Sequence, residues 1–268
     1  MYKAVFLDLD GTLLDDEKNI SNENKEAITH AIKNGAIVCL CSGRQQEFVK
    51  EYKENAGASR YVICSNGAEI YDCESHEELF SMNLNPIIVK NLYELVIQNN
   101  FLIRLDTKYG RFVNELRYGM PNEVLLNESI DKFLLENNTL QITIVTETEE
   151  EIDAIIEYIK GLNRIDIKIE NKYRTIKDEE KVDFWAINII NSSASKGNAM
   201  NGLCKYLKID MKDIIAIGDD LNDISMIQMA GLGVAMKNAL PVVKENANLI
   251  TQKNNNENGV AEVLINNF

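Results

Sequence analysis

The chain has 268 residues and an apolar share of 45%, enough for a sizeable core in one large domain or two smaller ones. Its formal charge of −14, from 42 acidic and 28 basic residues, argues against nucleic acid or anionic lipid as partner, and no run of about 18 apolar residues offers a membrane span. Five cysteines, at positions 39, 41, 64, 73 and 204, form no Cys-x-x-Cys pair and read as reduced thiols. With no basic leader ahead of the first apolar run, a cytoplasmic location is expected.

The chain opens on an apolar run, Lys3-Ala4-Val5-Phe6-Leu7-Asp8-Leu9-Asp10, that reads as a buried strand ending in two aspartates and is broken by Gly11-Thr12. Residues two apart on a strand point the same way, so Asp8 and Asp10 are expected to project together from its carboxyl end. Open α/β sheets place their ligands at that end. Residues 21–34 form an amphipathic helix pattern with Ser21 as N-cap and Gly35 as its stop. Ala36-Ile37-Val38-Cys39-Leu40-Cys41 is a second strand, followed by Ser42-Gly43-Arg44 and a helix near residues 45–55. Tyr61-Val62-Ile63-Cys64 is a third, closed by Ser65-Asn66-Gly67-Ala68, and residues 69–72 return as a hairpin strand. Strands alternating with helices predict a parallel sheet.

Around residues 81–86 the pattern changes. Helices are expected at 87–99, 123–136 and 149–160, and strands at 101–106, 111–114, 140–146, 165–170 and 182–190. This is an α+β pattern, read as an insert over residues 85–190 between core segments 1–84 and 191–268, with Asn191-Ser192-Ser193-Ala194-Ser195 as the return hinge. The βαβ rhythm then resumes. Lys196, in Ser195-Lys196-Gly197, sits just before a helical pattern over residues 198–206, and residues 213–217 form a strand that runs into Gly218-Asp219-Asp220-Leu221-Asn222-Asp223. Residues 231–236 are a short strand, 239–247 a short helix, and 254–258 an Asn-rich surface turn.

An acid pair, a hydroxyl, a lysine and an acidic loop thus follow one another, three of them after strands, so one sheet edge can gather them all. Each has an ordinary reading of its own. Asp8 suits a turn cap, Asp10 a second metal ligand through its side chain, Ser42 a helix N-cap, and Lys196 a solvated lysine. An EF-hand loop does not fit, because position twelve counted from Asp219 is Ala230, and counted from Asp8 it is Asn19.

In these four motifs the chain resembles the haloacid dehalogenase superfamily, in the Cof-type, subclass IIB-like branch of capped sugar-phosphate phosphatases. Asp220 stands where many members of that branch have Asn. The resemblance implies an α/β fold, a Rossmann-like parallel-sheet core with an inserted α+β cap that sets specificity. It implies a phosphomonoesterase acting on a small phosphorylated metabolite (a sugar phosphate, nucleotide or cofactor phosphate), with Mg²⁺ as cofactor. Asp8 would be the nucleophile and Asp10 the general acid and base; dehalogenating members lack this second aspartate. Ser42 and Lys196 would bind and neutralise the phosphoryl group. Gly43, Asn66, Gly67 and Asn222 would line the substrate, with Asn222 supporting Lys196 or the phosphate. The metal would be held by Asp8, Asp10 (through its backbone carbonyl), Asp219 and Asp223. In so acidic a chain the site must be a local positive island of metal, Lys196 and helix N-termini.

Arg44 is a further candidate for substrate contact, as are Tyr109, Arg111, Tyr173 and Arg174 in apparent turns of the insert. His30 and His76, the only histidines, read as solvent-facing. Three other readings stand beside the phosphatase. A phosphomutase would rephosphorylate its product. A phospho-accepting signalling domain uses similar residues, though on a shorter chain with its acceptor on a later strand. A sugar-phosphate sensor would have no need of Asp10. A monomer or homodimer is expected.

Overall fold

The computed structural model describes residues 2–118, 122–177 and 182–268. In it the chain divides into two compact units, Met1–Phe80 with Ala194–Phe268, and Ser81–Ser193.

The apolar runs of the first unit become its central strands. Those up to the insert are β1 (Ala4–Leu7), β2 (Ile37–Cys41), β3 (Tyr61–Cys64), β4 (Glu69–Asp72) and β5 (Glu77–Ser81), with helices α1 (Asn22–Lys33) and α2 (Gln46–Ala56) between them. Every side chain of β1 is buried, and each such Val, Leu or Phe contributes about 1.5–3 kcal/mol. That burial on both faces makes β1 an inner strand. Ser21 caps α1 by accepting from the Asn24 amide at 3.1 Å.

The insert supplies α3 (Pro86–Gln98), β6 (Leu102–Thr107), β7 (Gly110–Val113), β8 (Glu123–Leu125), α4 (Ile130–Glu136), β9 (Gln141–Thr146), α5 (Glu149–Gly161), β10 (Ile167–Lys177) and β11 (Val182–Asn191). The first unit then continues through α6 (Lys196–Leu207), β12 (Ile214–Gly218), α7 (Ile224–Met229), β13 (Leu232–Ala235), α8 (Pro241–Glu245), β14 (Leu249–Ile250) and α9 (Gly259–Asn267). Its eight-stranded sheet has the order β14-β13-β12-β1-β2-β3-β4-β5, parallel from β14 to β3, with β4 antiparallel to β3. β1 therefore lies between β12 and β2.

The insert carries its own six-stranded sheet, β10-β11-β9-β6-β7-β8, antiparallel except where β7 meets β8. Alternate residues Ile103, Leu105, Ile142, Ile144, Ile187 and Ile189 pack with Val89, Leu92, Val96, Phe133, Ile152 and Ile155 of α3, α4 and α5 into a separate core. The period of two on the strands and the 3.6 period on the helices meet there.

Local expectations fail at three places. Residues 123–136 are not one helix. Glu123–Leu125 forms β8 beside β7, and the helix starts only after Ser129, whose side chain accepts from the Lys132 amide. A tertiary contact overrides the helical pattern: the Glu123 carboxylate accepts from buried Arg104 Nε at 2.6 Å, and losing it would strand an arginine in the core. β10 runs seven residues beyond the expected 170, so Tyr173 and Arg174 sit on a strand opposite Ala186 and Trp185 rather than in a turn. Gly259–Asn267, which the sequence pattern leaves unassigned, is α9, with Val260, Val263 and Leu264 buried.

Candidate active site

Parallel pairing brings the chemistry-bearing residues to one sheet edge. Leu7, the last residue of β1, is in register with Leu40 of β2 and with Ile217 of β12, so Asp8 follows its strand beside Cys41 and Gly218, which end theirs. The Asp8 amide donates to Ile217 O at 3.0 Å, and the Ser42 amide donates to Ile63 O at 2.9 Å. Lys196 is the first residue of α6, behind the N-cap Ser195.

Lys196 is fully buried and joins two carboxylates. Its Nζ donates to Asp8 Oδ1 at 2.5 Å and to Asp223 Oδ1 at 2.6 Å. Burial works against its charge, but Asp223 and Asp8 hold it protonated, well above the usual lysine range. Asp223 Oδ2 accepts from the amides of Asp219 and Asp220 at 2.9 and 3.1 Å. Asp219 Oδ1 accepts from Thr12 Oγ1 at 2.8 Å. Gly11 permits this approach: it has φ +78°, and a Cβ there would lie 2.2 Å from Asp219 Oδ2.

Asp8, Asp219 and Asp223 each offer a carboxylate oxygen within 4.8 Å of the others. Burial, opposed by Lys196, pushes Asp8 well above the carboxylate range, and burial with the Asp223 charge raises Asp219 to about 7. A divalent cation relieves this repulsion, and oxygen donors suit Mg²⁺. Both oxygens of Asp223 already accept hydrogen bonds, so Asp8 and Asp219 are the freer donors.

The Asp10 side chain is not part of this group. The strand ends at Leu7, so the alternation that would align Asp8 with Asp10 does not continue. Arg44 holds Asp10 from both sides, Nε to Oδ2 at 2.7 Å and Nη2 to Oδ1 at 2.6 Å, and Lys18 Nζ adds a bond to Oδ1 at 2.8 Å. Against the burial that raises it, Arg44 and then Lys18 hold Asp10 down at about 2.

Ser42 is buried; its Oγ accepts from the Arg44 amide at 3.2 Å, which leaves the hydroxyl proton free to donate. Gly43 lies against the Asn66 amide, whose Oδ1 would be 2.8 Å from a Cβ. Asn66 in turn accepts from Asn222 Nδ2 at 2.9 Å, so Asn222 supports Asn66. Ser65, Asn66 and Gly67 all have positive φ, at 49°, 57° and 89°. Gly67 is required twice over, since a Cβ would also strike Ser195 O at 2.2 Å, just ahead of Lys196.

Asp220 caps the turn at residues 221–223, accepting from the Leu221 amide at 2.7 Å. His30 and His76 are exposed, and all five cysteines are free. Of the insert candidates, Tyr109 is exposed in a turn, Arg111 lies on β7 paired with buried Asp106, and Arg174 pairs with Asp183. The sequence reading missed Lys18 and the contacts that the Asn-rich turn makes. Asn255 Nδ2 donates to Leu14 O and Asp16 Oδ1, both at 3.0 Å, and Asn256 Nδ2 donates to Asp16 Oδ2 at 2.9 Å, so that turn ties down the loop bearing Lys18. No local pattern signals a contact across more than 230 residues.

Comparisons with known proteins give the family. A family profile described as haloacid dehalogenase-like hydrolase matches residues 5–264. The chain is 31% identical to phosphatase YwpJ of Bacillus subtilis (strain 168), over 98% of each chain. It is 30% identical to 5-amino-6-(5-phospho-D-ribitylamino)uracil phosphatase YcsE of the same organism, over 98% of this chain and 94% of that one. The crystal structure of a haloacid dehalogenase-like hydrolase from Bacteroides thetaiotaomicron superposes with a TM-score of 0.84 at 26% identity, over 100% of both chains. A match of this extent to hydrolases displaces the signalling-domain reading. The chain belongs to the haloacid dehalogenase superfamily, in its Cof-type branch, and is a phosphatase.

Proposed function

We propose that the chain is a Mg²⁺-dependent phosphomonoesterase for a small phosphorylated metabolite, working through a phosphorylated Asp8. The observation that carries this is the buried Lys196 joining Asp8 to Asp223, with three carboxylate oxygens within 4.8 Å. A nucleophile, a fixed cation and a metal-ready acid cluster meet at one strand end.

Asp8 attacks phosphorus with a carboxylate oxygen as the ester P–O bond breaks. The leaving alkoxide takes a proton from Asp10. Water then attacks the phosphorus of phospho-Asp8 and gives its proton to Asp10, and the P–O bond to Asp8 breaks, releasing inorganic phosphate. Lys196 orients Asp8 and neutralises the phosphoryl group, and the Ser42 hydroxyl donates to a phosphoryl oxygen. Asn66, held by Asn222, sets the loop that Gly43 and Gly67 border. Asp8, Asp219 and the Asp10 backbone carbonyl, with Asp223 alongside, would hold Mg²⁺, which when bound supplies positive charge for the phosphoryl oxygens. The unit Ser81–Ser193 supplies discrimination among substrates.

The test is phosphate release from a panel of phosphorylated metabolites with Mg²⁺, beginning with ribityl and sugar phosphates because YcsE is named for a ribitylaminouracil phosphate. Rapid release from several is expected, which also separates a phosphatase from a phosphomutase. No release from any member of a broad panel, or full activity in excess EDTA, would overturn the reading.

A further inference from the structure

The mechanism leaves three observations unused: the two-point grip of Arg44 on Asp10, the Lys18 contact beside it, and the Asn-rich turn that holds the Lys18 loop. We propose that Arg44 and Lys18 are positioning residues for Asp10, holding its carboxylate in the orientation from which it takes the proton of the attacking water. This rests on the acid–base role given to Asp10 above.

Asp10 needs such support. Its side chain is 40% exposed and lies past the end of β1, whereas Asp8, at 7%, is locked by Lys196. An aspartate carboxyl with that freedom turns about two bonds. Arg44 removes the freedom, because its Nε and Nη2 reach different oxygens at 2.7 and 2.6 Å, a planar fork that fixes rotation as well as position. The fork is itself held. The Arg44 amide donates to Ser42 Oγ at 3.2 Å, its carbonyl accepts from the Ser65 amide at 2.9 Å, and its guanidinium carbon lies 5.1 Å from the centre of the Tyr52 ring. Lys18 closes the other side at 2.8 Å from a left-handed residue, φ 65°. Its loop is closed by Asp15, which accepts from the Asn19 amide at 2.8 Å, and is anchored through Asp16 to Asn255 and Asn256. Ser42, Arg44 and Asp10 thus form one connected unit, in which the residue whose hydroxyl donates to the phosphoryl group is joined through Arg44 to the residue that handles the proton.

The experiment is a double-mutant cycle between Asp10→Asn and Arg44→Met, read by rapid quench with an aryl and an alkyl phosphate in the presence of Mg²⁺. Arg44→Met alone should keep the aryl burst at about one leaving group per enzyme and leave KM within about twofold, while kcat falls about tenfold, a part of the 10²–10⁴ an acid–base group supplies. In the Asp10→Asn background the same substitution should change kcat by less than about twofold, since its effect passes through Asp10. Arg44→Lys should recover only part of the loss, because one ammonium cannot span both oxygens. The exposed Lys18→Met, which leaves Arg44 and the core untouched, should lower kcat about two- to threefold with the same burst, and so keeps the test open if Arg44→Met folds poorly. A KM rise of tenfold with kcat intact would make Arg44 a phosphate ligand instead, and a tenfold further loss in the Asp10→Asn background would show that it acts independently; either overturns the proposal, as does a rise in kcat. If Asp10→Asn itself turned over at the wild-type rate, the acid–base reading would fail before the positioning role was reached.

Discussion

The carboxylates that make this site reactive should also make it unstable when no cation is bound, and Asp219→Asn measures that directly. Unit charges 4.8 Å apart repel by roughly 3 kcal/mol at an effective dielectric of 20. Asp219 faces two such neighbours, Asp8 and Asp223, and Lys196 offsets part of the total. Asparagine keeps the oxygen that accepts from Thr12 and removes only the charge. In EDTA the variant should therefore be more stable than wild type by about 1–3 kcal/mol, although it should lack activity. Mg²⁺ should reverse the order: at 100 times its dissociation constant it stabilises wild type by about 2.7 kcal/mol and the variant by much less. Urea unfolding of both proteins, in EDTA and in Mg²⁺, gives the four free energies. An Asp219→Asn protein less stable than wild type in EDTA, or equally stabilised by Mg²⁺, would refute the repulsion argument and remove Asp219 from the cation site.

Asp8→Asn should form no phosphoenzyme from any ester, whereas Asp10→Asn should give a burst of about one leaving group with an aryl phosphate and then turn over about 10²–10⁴ times more slowly, as rapid quench will show; the reverse pattern would exchange the two roles. Gly67→Ala should destabilise the protein by more than about 1 kcal/mol and lower kcat, because its Cβ displaces Ser195 and with it Lys196, and denaturant unfolding with steady-state assay will show both. Arg60, bonded to Asp72, holds that carboxyl at about 2, below its unfolded value. Its contribution is thus present above about pH 4 and lost as pH falls towards 2, so Arg60→Met should flatten the acid limb of the stability curve. Replacing Ser81–Ser193 with a short linker should leave slow hydrolysis of an activated aryl ester while the ranking of natural substrates collapses; a retained ranking would place specificity in the first unit.

Much of this protein is legible in its sequence. Buried strands show as apolar runs, and Asp8, Ser42, Lys196 and Asp219 are legible because each follows a strand or opens a helix at the one sheet edge that parallel pairing creates. Those are short-range signals: alternation, caps, and turn residues such as Gly67. The periodic argument fails just beyond the strand. It sends Asp10 the same way as Asp8, but β1 ends at Leu7, and Asp10 turns instead to Arg44, 34 residues away. The helical pattern at 123–136 yields to β8 because Glu123 must meet Arg104, and the Asn-rich turn matters because Asn255 meets Asp16, 239 residues away. Sequence alone determined which groups stand at the strand ends, since local burial and backbone propensity decide that. Only the tertiary structure decided which charge pairs with which, because a side chain turns about its own bonds to the partner that the fold brings near, and sequence separation carries no record of that distance.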